Sequence, residues 1–269
     1  MKARERAGRP ARGLLAVLAP AFLSACEITR PAGLEQDAVS LTLLLVAGMR
    51  EAFMLAVHPH RERDDAPPDI SASLEGPGWT ARFSDTRAGG VCEDYRGIGP
   101  ATCLRAWLSE PVQPGSRYVL RGTAPPGSFT GEAAVPTAPV VPADTLRFPL
   151  PDSGRVVRIP LRYRVDPQTG TVLADLVVTH SGRGSGYWTE RLDAGGVDTL
   201  EINQSGKPMS IRLRLQAIGW NYTNFRKHAG GGLVPPPWPT FGIDGEGVYG
   251  YFDGVSRHSP IVHILVGEP

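Results

Sequence analysis

Gly245, Gly247 and Gly250 stand in G-x-G-x-x-G spacing, which between a strand and a helix lets a helix N-terminus meet a pyrophosphate. The stretch they open onto, YGYFDG, is too glycine-rich and aromatic to start that helix, so a nucleotide site is not expected there. His58 and His60 flank Pro59 and could present two imidazoles to a metal, although a solvated loop pair is the plainer reading. Asp64, Asp65 and Asp69, and again Asp244, Glu246 and Asp253, offer oxygen ligands without the ordered spacing of a calcium loop. No G-x-S-x-G elbow, H-E-x-x-H or Walker A sequence is present, and Ser185 has Arg183 where the elbow needs glycine. A serine, histidine and aspartate can be picked from any chain this long, so no catalytic residue, metal or cofactor is expected.

A different chemistry stands at the other end. Lys2, Arg4, Arg6, Arg9 and Arg12 precede the apolar LLAVLAPAFL, which is short for a bilayer span, and Leu23-Ser24-Ala25-Cys26 follows. Small residues before a cut fit a signal peptidase, and a cysteine at the first position after the cut, as Cys26 would be, is the nucleophile that takes a diacylglycerol thioether. The arrangement resembles the bacterial lipobox at all four positions; an ordinary secretory signal with a chance cysteine is the alternative. Each buried acyl CH₂ contributes about 0.8 kcal/mol, so two or three chains hold a protein firmly on a membrane. Residues 1–25 read as the signal peptide and 26–38 as a tether. No later stretch reads as a membrane-spanning helix. In lipoproteins of this kind an aspartate after the cysteine is the familiar inner-membrane retention signal, so with Glu27 there the resemblance favours sorting to the outer membrane.

The whole chain carries 28 basic and 27 acidic side chains, but the signal peptide holds five of the former and one of the latter. The remainder has 23 against 26, net −3, which gives no reason to expect a nucleic-acid partner. Cys92 and Cys103 are separated by EDYRGIGPAT. Outside the cytoplasm they most simply form a disulfide, contributing about 3 kcal/mol for a loop of this size, with two buried free thiols as the alternative. No CxxC or nearby histidine completes a zinc site.

The elements behind these residues are strands. VSLTLLLVAG, EAFMLAVH, DISASLEG, WTARFSD, TCLRAWLS, SRYVLRGTA and SFTGEAAV are short apolar or alternating runs divided by Pro, Gly, Asp and Ser. That spacing predicts an immunoglobulin-like β-sandwich over 39–142, closing on a hairpin around a Pro-Pro-Gly turn. VPTAPVVPADTLRFPLP follows as an extended linker, and a boundary is placed near 143. A second antiparallel β domain is expected over 143–269. It would open with a hairpin in which Val157, Ile159, Leu161, Tyr163 and Val165 pair through a DPQTG turn with TVLADLVVTH, Pro160 marking an edge strand. SIRLRLQAI puts Ile211, Leu213, Leu215 and Ala217 on one face and Ser210, Arg212, Arg214 and Gln216 on the other. Only WNYTNFRKH could make a short helix, and IVHILVG reads as a closing strand.

Aromatic residues concentrate near that helix. Trp220, Tyr222, Phe225, Trp238, Phe241, Tyr249, Tyr251 and Phe252 crowd into 33 residues of a chain that is 7% aromatic. They could stack sugars or form hot spots for a protein partner, or they could cover a glycine-rich segment and plug the end of a sheet.

Taken together, the lipobox cysteine, the PGSRYVLRGTAPPG hairpin leading to VPTAP, and the tail from LRLQAIGWNYTNFRKH through FGIDGEGVYGYFDGVS resemble the lipoproteins carrying domain of unknown function 4249, best known from Bacteroidota. The likeness covers roughly residues 35–266. The cysteine pair and the proline and arginine-rich composition depart from the family pattern. The resemblance implies an outer-membrane accessory lipoprotein, often associated with a TonB-dependent transporter, and no catalytic residue carries over. The function expected is therefore a binding or interaction role. A direct glycan or peptide binder using the aromatics of 220–252 is the alternative, and a periplasmic hydrolase the weakest one.

Overall fold

Alternation of apolar and polar residues produces strands almost throughout, as the computed structural model of the chain displays. It describes residues 38–59, 61, 65–86, 100–125, 127–149, 156–180, 185–203, 209–228, 240–257 and 260–267. In order, the elements are β1 (Val39–Val46), β2 (Glu51–Val57), β3 (Ser71–Gly76), β4 (Trp79–Arg82), β5 (Ser84–Asp85), β6 (Ala101–Trp107), β7 (Arg117–Ala124) and β8 (Gly127–Ala134). Then come β9 (Thr145–Phe148), β10 (Val156–Arg162), β11 (Thr169–His180), β12 (Ser185–Leu192), β13 (Val197–Asn203) and β14 (Met209–Gly219). The short helix α1 (Trp220–His228) leads to β15 (Ile243–Gly245), β16 (Val248–Ser256) and β17 (Val262–Val266). The protein is all-β and mainly antiparallel; among the described strands β1 pairs with β16 and β9 with β17 in parallel.

Two sandwich cores result. In the first, a sheet ordered β16-β1-β2-β6-β5 faces one ordered β15-β8-β7-β3-β4. Leu41, Leu43, Leu45, Met54, Leu104, Leu74, Leu120 and Phe252 fill the space between them. The expected hairpin is present, with Arg117 to Ala124 paired against Ala134 to Gly127. Tyr118 on β7 is fully buried, and its hydroxyl accepts the Gln113 N–H at 2.7 Å. This is the tyrosine-corner arrangement of immunoglobulin-like sandwiches, in which a core ring satisfies the backbone that leads into its own strand. Burial raises the Tyr118 pKa and keeps the phenol neutral.

The second core lies between β12-β11-β14-β17-β9 and the two-stranded β10-β13 sheet. Val157, Ile159 and Leu161 meet Val172, Ala174, Leu176, Ile211, Leu213 and Ile264 there. The pairs Ala217↔Ser256 and Ile218↔Val255 join β14 to β16, so one ten-stranded sheet runs through both sandwiches.

Three sequence expectations change. The β10 strand does not hairpin onto β11: it pairs with β13, while β11 pairs with β12 and β14. The DPQTG turn exists, held by Asp166 Oδ1 accepting the Gln168 N–H at 2.8 Å, but it carries the chain across the core from one sheet to the other. Both strands need an apolar partner face, and facing across a core satisfies alternation as well as lying side by side does. Pro160 sits in a strand with a single neighbour, where its missing N–H costs no ladder bond. The proline-rich linker is not wholly a linker, because its TLRF becomes β9 on the edge of the second sheet. Nor do residues after 143 keep to the second core: β15 and β16 complete the two sheets of the first, and Ile243, Val248 and Phe252 lie inside it.

Candidate functional site

The G-x-G-x-x-G glycines are accounted for by backbone geometry. Gly247 turns the chain between β15 and β16 at φ +66°. Gly250, at φ +117°, lies so close to Leu41 of β1 that an added Cβ would fall 1.8 Å from the Leu41 carbonyl oxygen. A side chain there would break the parallel pairing that ties β16 to β1.

The aromatic segment packs against α1. Tyr251 meets Phe225 at 4.7 Å between ring centroids and Tyr222 at 5.0 Å, and Phe225 meets Phe241 at 6.3 Å edge-on. Phe225 is buried under the helix and Phe252 points into the first core, so these two do not face a partner, contrary to the binding-surface expectation. Tyr222, Phe241, Tyr249 and Tyr251 are half-buried. Trp220 alone of the described group is exposed, at 46%; its indole N–H donates to the Pro167 carbonyl at 3.1 Å and Lys227 lies 5.9 Å from its ring. Trp238, Cys26 and Cys92 lie outside the described residues, and Cys103 lies on β6 opposite Leu55.

The helix is fastened by a carboxylate borrowed from another strand. Gly219 precedes α1 and has no side chain to cap it, so Asp253 of β16 does so: Oδ2 accepts the Tyr222 N–H at 2.7 Å and Oδ1 accepts the Gly254 N–H at 2.8 Å. A Cβ on Gly219 would fall 1.9 Å from Asp253 Oδ1, so the glycine makes room for the cap. Asn221 Nδ2 donates to the Phe252 carbonyl at 2.9 Å, and the Thr223 hydroxyl to the Gly219 carbonyl at 2.8 Å. Asp253 is only 2% exposed, and burial pushes its pKa up to about 6 against the pull of those backbone N–H groups.

Beside α1 opens a cleft of about 260 Å³ lined by Thr171, Leu173, Thr189, Glu190, Arg191, Ile218, Tyr222, Thr223 and Arg226. Arg191 reaches across it, Nη2 donating to the Thr171 hydroxyl at 3.0 Å, and that hydroxyl also meets Thr223 Oγ1 at 3.0 Å. Beyond the cleft lies the outer face of the second sheet. Register sets Arg191, Leu173 and Gln216 in one row, Thr189, Asp175 and Arg214 in the next, and Tyr187, Val177 and Arg212 in a third. His263 and Thr145 extend the third row onto β17 and β9. Asp175 accepts hydrogen bonds from Tyr187, Thr189 and Gln216, and it is the single carboxylate in these rows. Arg212, Arg214 and Arg226 are exposed and make no ion pair among the described residues. Glu190 alternates to the other side of β12, where burial and the carboxylates of Asp198 and Glu201 raise its pKa.

This basic face is the feature that composition conceals, since the chain past the signal peptide is net negative. The alternation of SIRLRLQAI shows two of its arginines. Arg191 and the exposed Tyr187 join them only through strand register.

No protein-family model matches the chain, and no curated protein matches it. Among solved structures, the calcium-binding domain CBD12 of CALX1.1 is similar at TM-score 0.27 and 7% identity, over 84% of this chain and 99% of that one. The FN1–FN3 domains of chicken CNTN1 are similar at TM-score 0.27 and 6% identity, over 86% of this chain and 66% of that one. The archaellum periplasmic stator protein complex FlaF and FlaG from Sulfolobus acidocaldarius is similar at TM-score 0.23 and 10% identity, over 40% of this chain and 99% of that one. Likeness at this level carries nothing about activity, ligand or partner.

Proposed function

We propose that the chain is a lipid-anchored cell-envelope protein with a binding role, held through Cys26 and serving as an accessory to a TonB-dependent outer-membrane transporter. The observation that carries the reading is Leu23-Ser24-Ala25-Cys26 behind a basic and then apolar leader. An all-β body built from two sandwich cores suits such a role, because its sheet faces and loops present surface. The proposal assigns no catalytic step, and it pairs Cys92 with Cys103. Cys26→Ser should abolish metabolic labelling with a palmitate analogue; labelling that persists rejects the anchor. Mild-detergent capture of the anchored protein should recover an outer-membrane barrel, and recovery of no membrane protein rejects the transporter association.

The second reading, direct ligand binding, is favoured by the cleft beside α1, whose hydroxyls, guanidinium groups and Tyr222 converge on one space. In that reading the contact residues move from the aromatic cluster, largely packed under the helix, to the cleft and the sheet face next to it.

A further inference from the structure

We propose that the outer face of β12-β11-β14, together with the cleft beside α1, binds an acidic glycan whose carboxylates are held by Arg191, Arg212, Arg214 and Arg226. The inference rests on the binding role proposed above and names the ligand class.

Charge pairing gives the first argument. Four outward arginines elsewhere meet glutamates, Arg158 with Glu201 at 2.8 Å, Arg117 with Glu132 and Arg121 with Glu75 at 3.0 Å, and Arg105 with Glu51 at 2.6 Å, whereas Arg82, Arg162 and Arg164, like the arginines of this face, make no ion pair among the described residues. On this face Arg212 and Arg214 stand opposite Val177 and Asp175, and Asp175 is occupied by Tyr187, Thr189 and Gln216. Like charges held close without partners repel, and an anion relieves that repulsion. Guanidinium groups suit carboxylates in particular, because their planar fork donates two parallel hydrogen bonds.

Shape and chemistry narrow the anion. Successive outward side chains along a strand lie about 7 Å apart and neighbouring strands about 4.8 Å, so the arginines form a shallow, flat grid suited to an extended chain. Between them stand groups that recognise sugar hydroxyls and ring faces: the exposed Thr189, the half-buried Tyr222, and Tyr187 at 66% exposed. A lipid surface would instead need protruding apolar side chains, whereas Leu173 and Val177 are half-buried among polar neighbours. The cleft closes one end of the grid, and its charged lining is Arg191, Arg226 and one carboxylate, Glu190. One sugar ring enters the cleft and the rest of the chain lies across β11 and β14.

The test uses the full lipidated chain in mild detergent, titrated with polygalacturonate and with neutral dextran of similar length, at about 0.05 and about 0.5 M salt. Wild type should bind the polyuronate, bind dextran far more weakly, and lose affinity with salt. Arg212→Glu with Arg214→Glu should weaken polyuronate binding by at least about tenfold, and Arg226→Ala by a few-fold. Arg158→Glu, on the opposite sheet, should change it little. Unaltered thermal unfolding in each variant shows that the fold is kept. No binding to polyuronate, an Arg212/Arg214 variant that binds as wild type does, or equal affinity for double-stranded DNA or phosphatidylglycerol vesicles overturns the proposal. Palmitate labelling and barrel capture are read separately, so failure here leaves the accessory reading standing.

Discussion

Replacing Asp253 by asparagine should flatten part of the protein's stability profile between pH 4.5 and 7.5. A folded-state pKa of about 6 against the ordinary 3.8 is about two units, or about 3 kcal/mol at 1.36 kcal/mol per unit. The folded value is raised, so the contribution of the neutral carboxyl is fully present below about pH 3.8 and is lost as pH rises through about 6. Of that, about 2 kcal/mol falls between pH 4.5 and 7.5. The asparagine keeps the side chain's size and one acceptor, but its amide NH₂ then confronts either the Tyr222 or the Gly254 N–H, at a pH-independent cost of about 1–3 kcal/mol. The variant should therefore be clearly weaker than wild type at pH 4.5 and close to it at pH 7.5. Urea unfolding of both proteins across this range measures the difference, and subtracting the profiles removes every group they share, Glu190 included. Parallel profiles would refute the reasoning, because burial would then not be setting the charge of the helix cap.

Gly250→Ala should destabilise by about 4 kcal/mol or more, or prevent folding, because it forces a Cβ onto the Leu41 carbonyl at a positive φ; soluble yield and urea midpoint report it, and a near-neutral result would mean β16 is not held against β1. Gly219→Ala should cost about 1–2 kcal/mol by displacing the Asp253 cap, with the loss of far-UV helix signal small but measurable. Phe252→Ala, which empties a fully buried site in the first core, should cost about 3–5 kcal/mol by the same assay. Arg158→Ala should cost at most about 1 kcal/mol, since its ion pair with Glu201 is largely exposed to solvent.

Strand positions were readable because a period of two is written directly into runs such as SIRLRLQAI, and the helix because WNYTNFRKH breaks that period. Partners were not readable. Alternation states which side chains share a face but not whether the matching face lies alongside or across a core, which is why Val157 to Leu161 match TVLADLVVTH in pattern and instead pair with Asp198 to Ile202. The same blindness hid the basic face: Arg191 is unremarkable in ERLDAGG until register carries it beside Leu173. The aromatic cluster was legible as a concentration and not as a direction, because an apolar ring serves a core and an interface equally well. What turned Phe225 and Tyr251 toward each other was the seating of α1, fixed by Asp253 from a strand distant in sequence.

The parallel pairing of Val39 with Val248, continuing to Val46 with Val255, also sets when this protein can fold. A ribosome delivers β16 long after β1, so the first sandwich waits without an edge of one sheet, and without Phe252 in its interior, until β16 has been made. Contacts so far apart in sequence form slowly. For a chain that must cross a membrane unfolded, as the proposed export requires, that delay is useful: the strand that completes the first sandwich leaves the nascent protein threadable until it arrives.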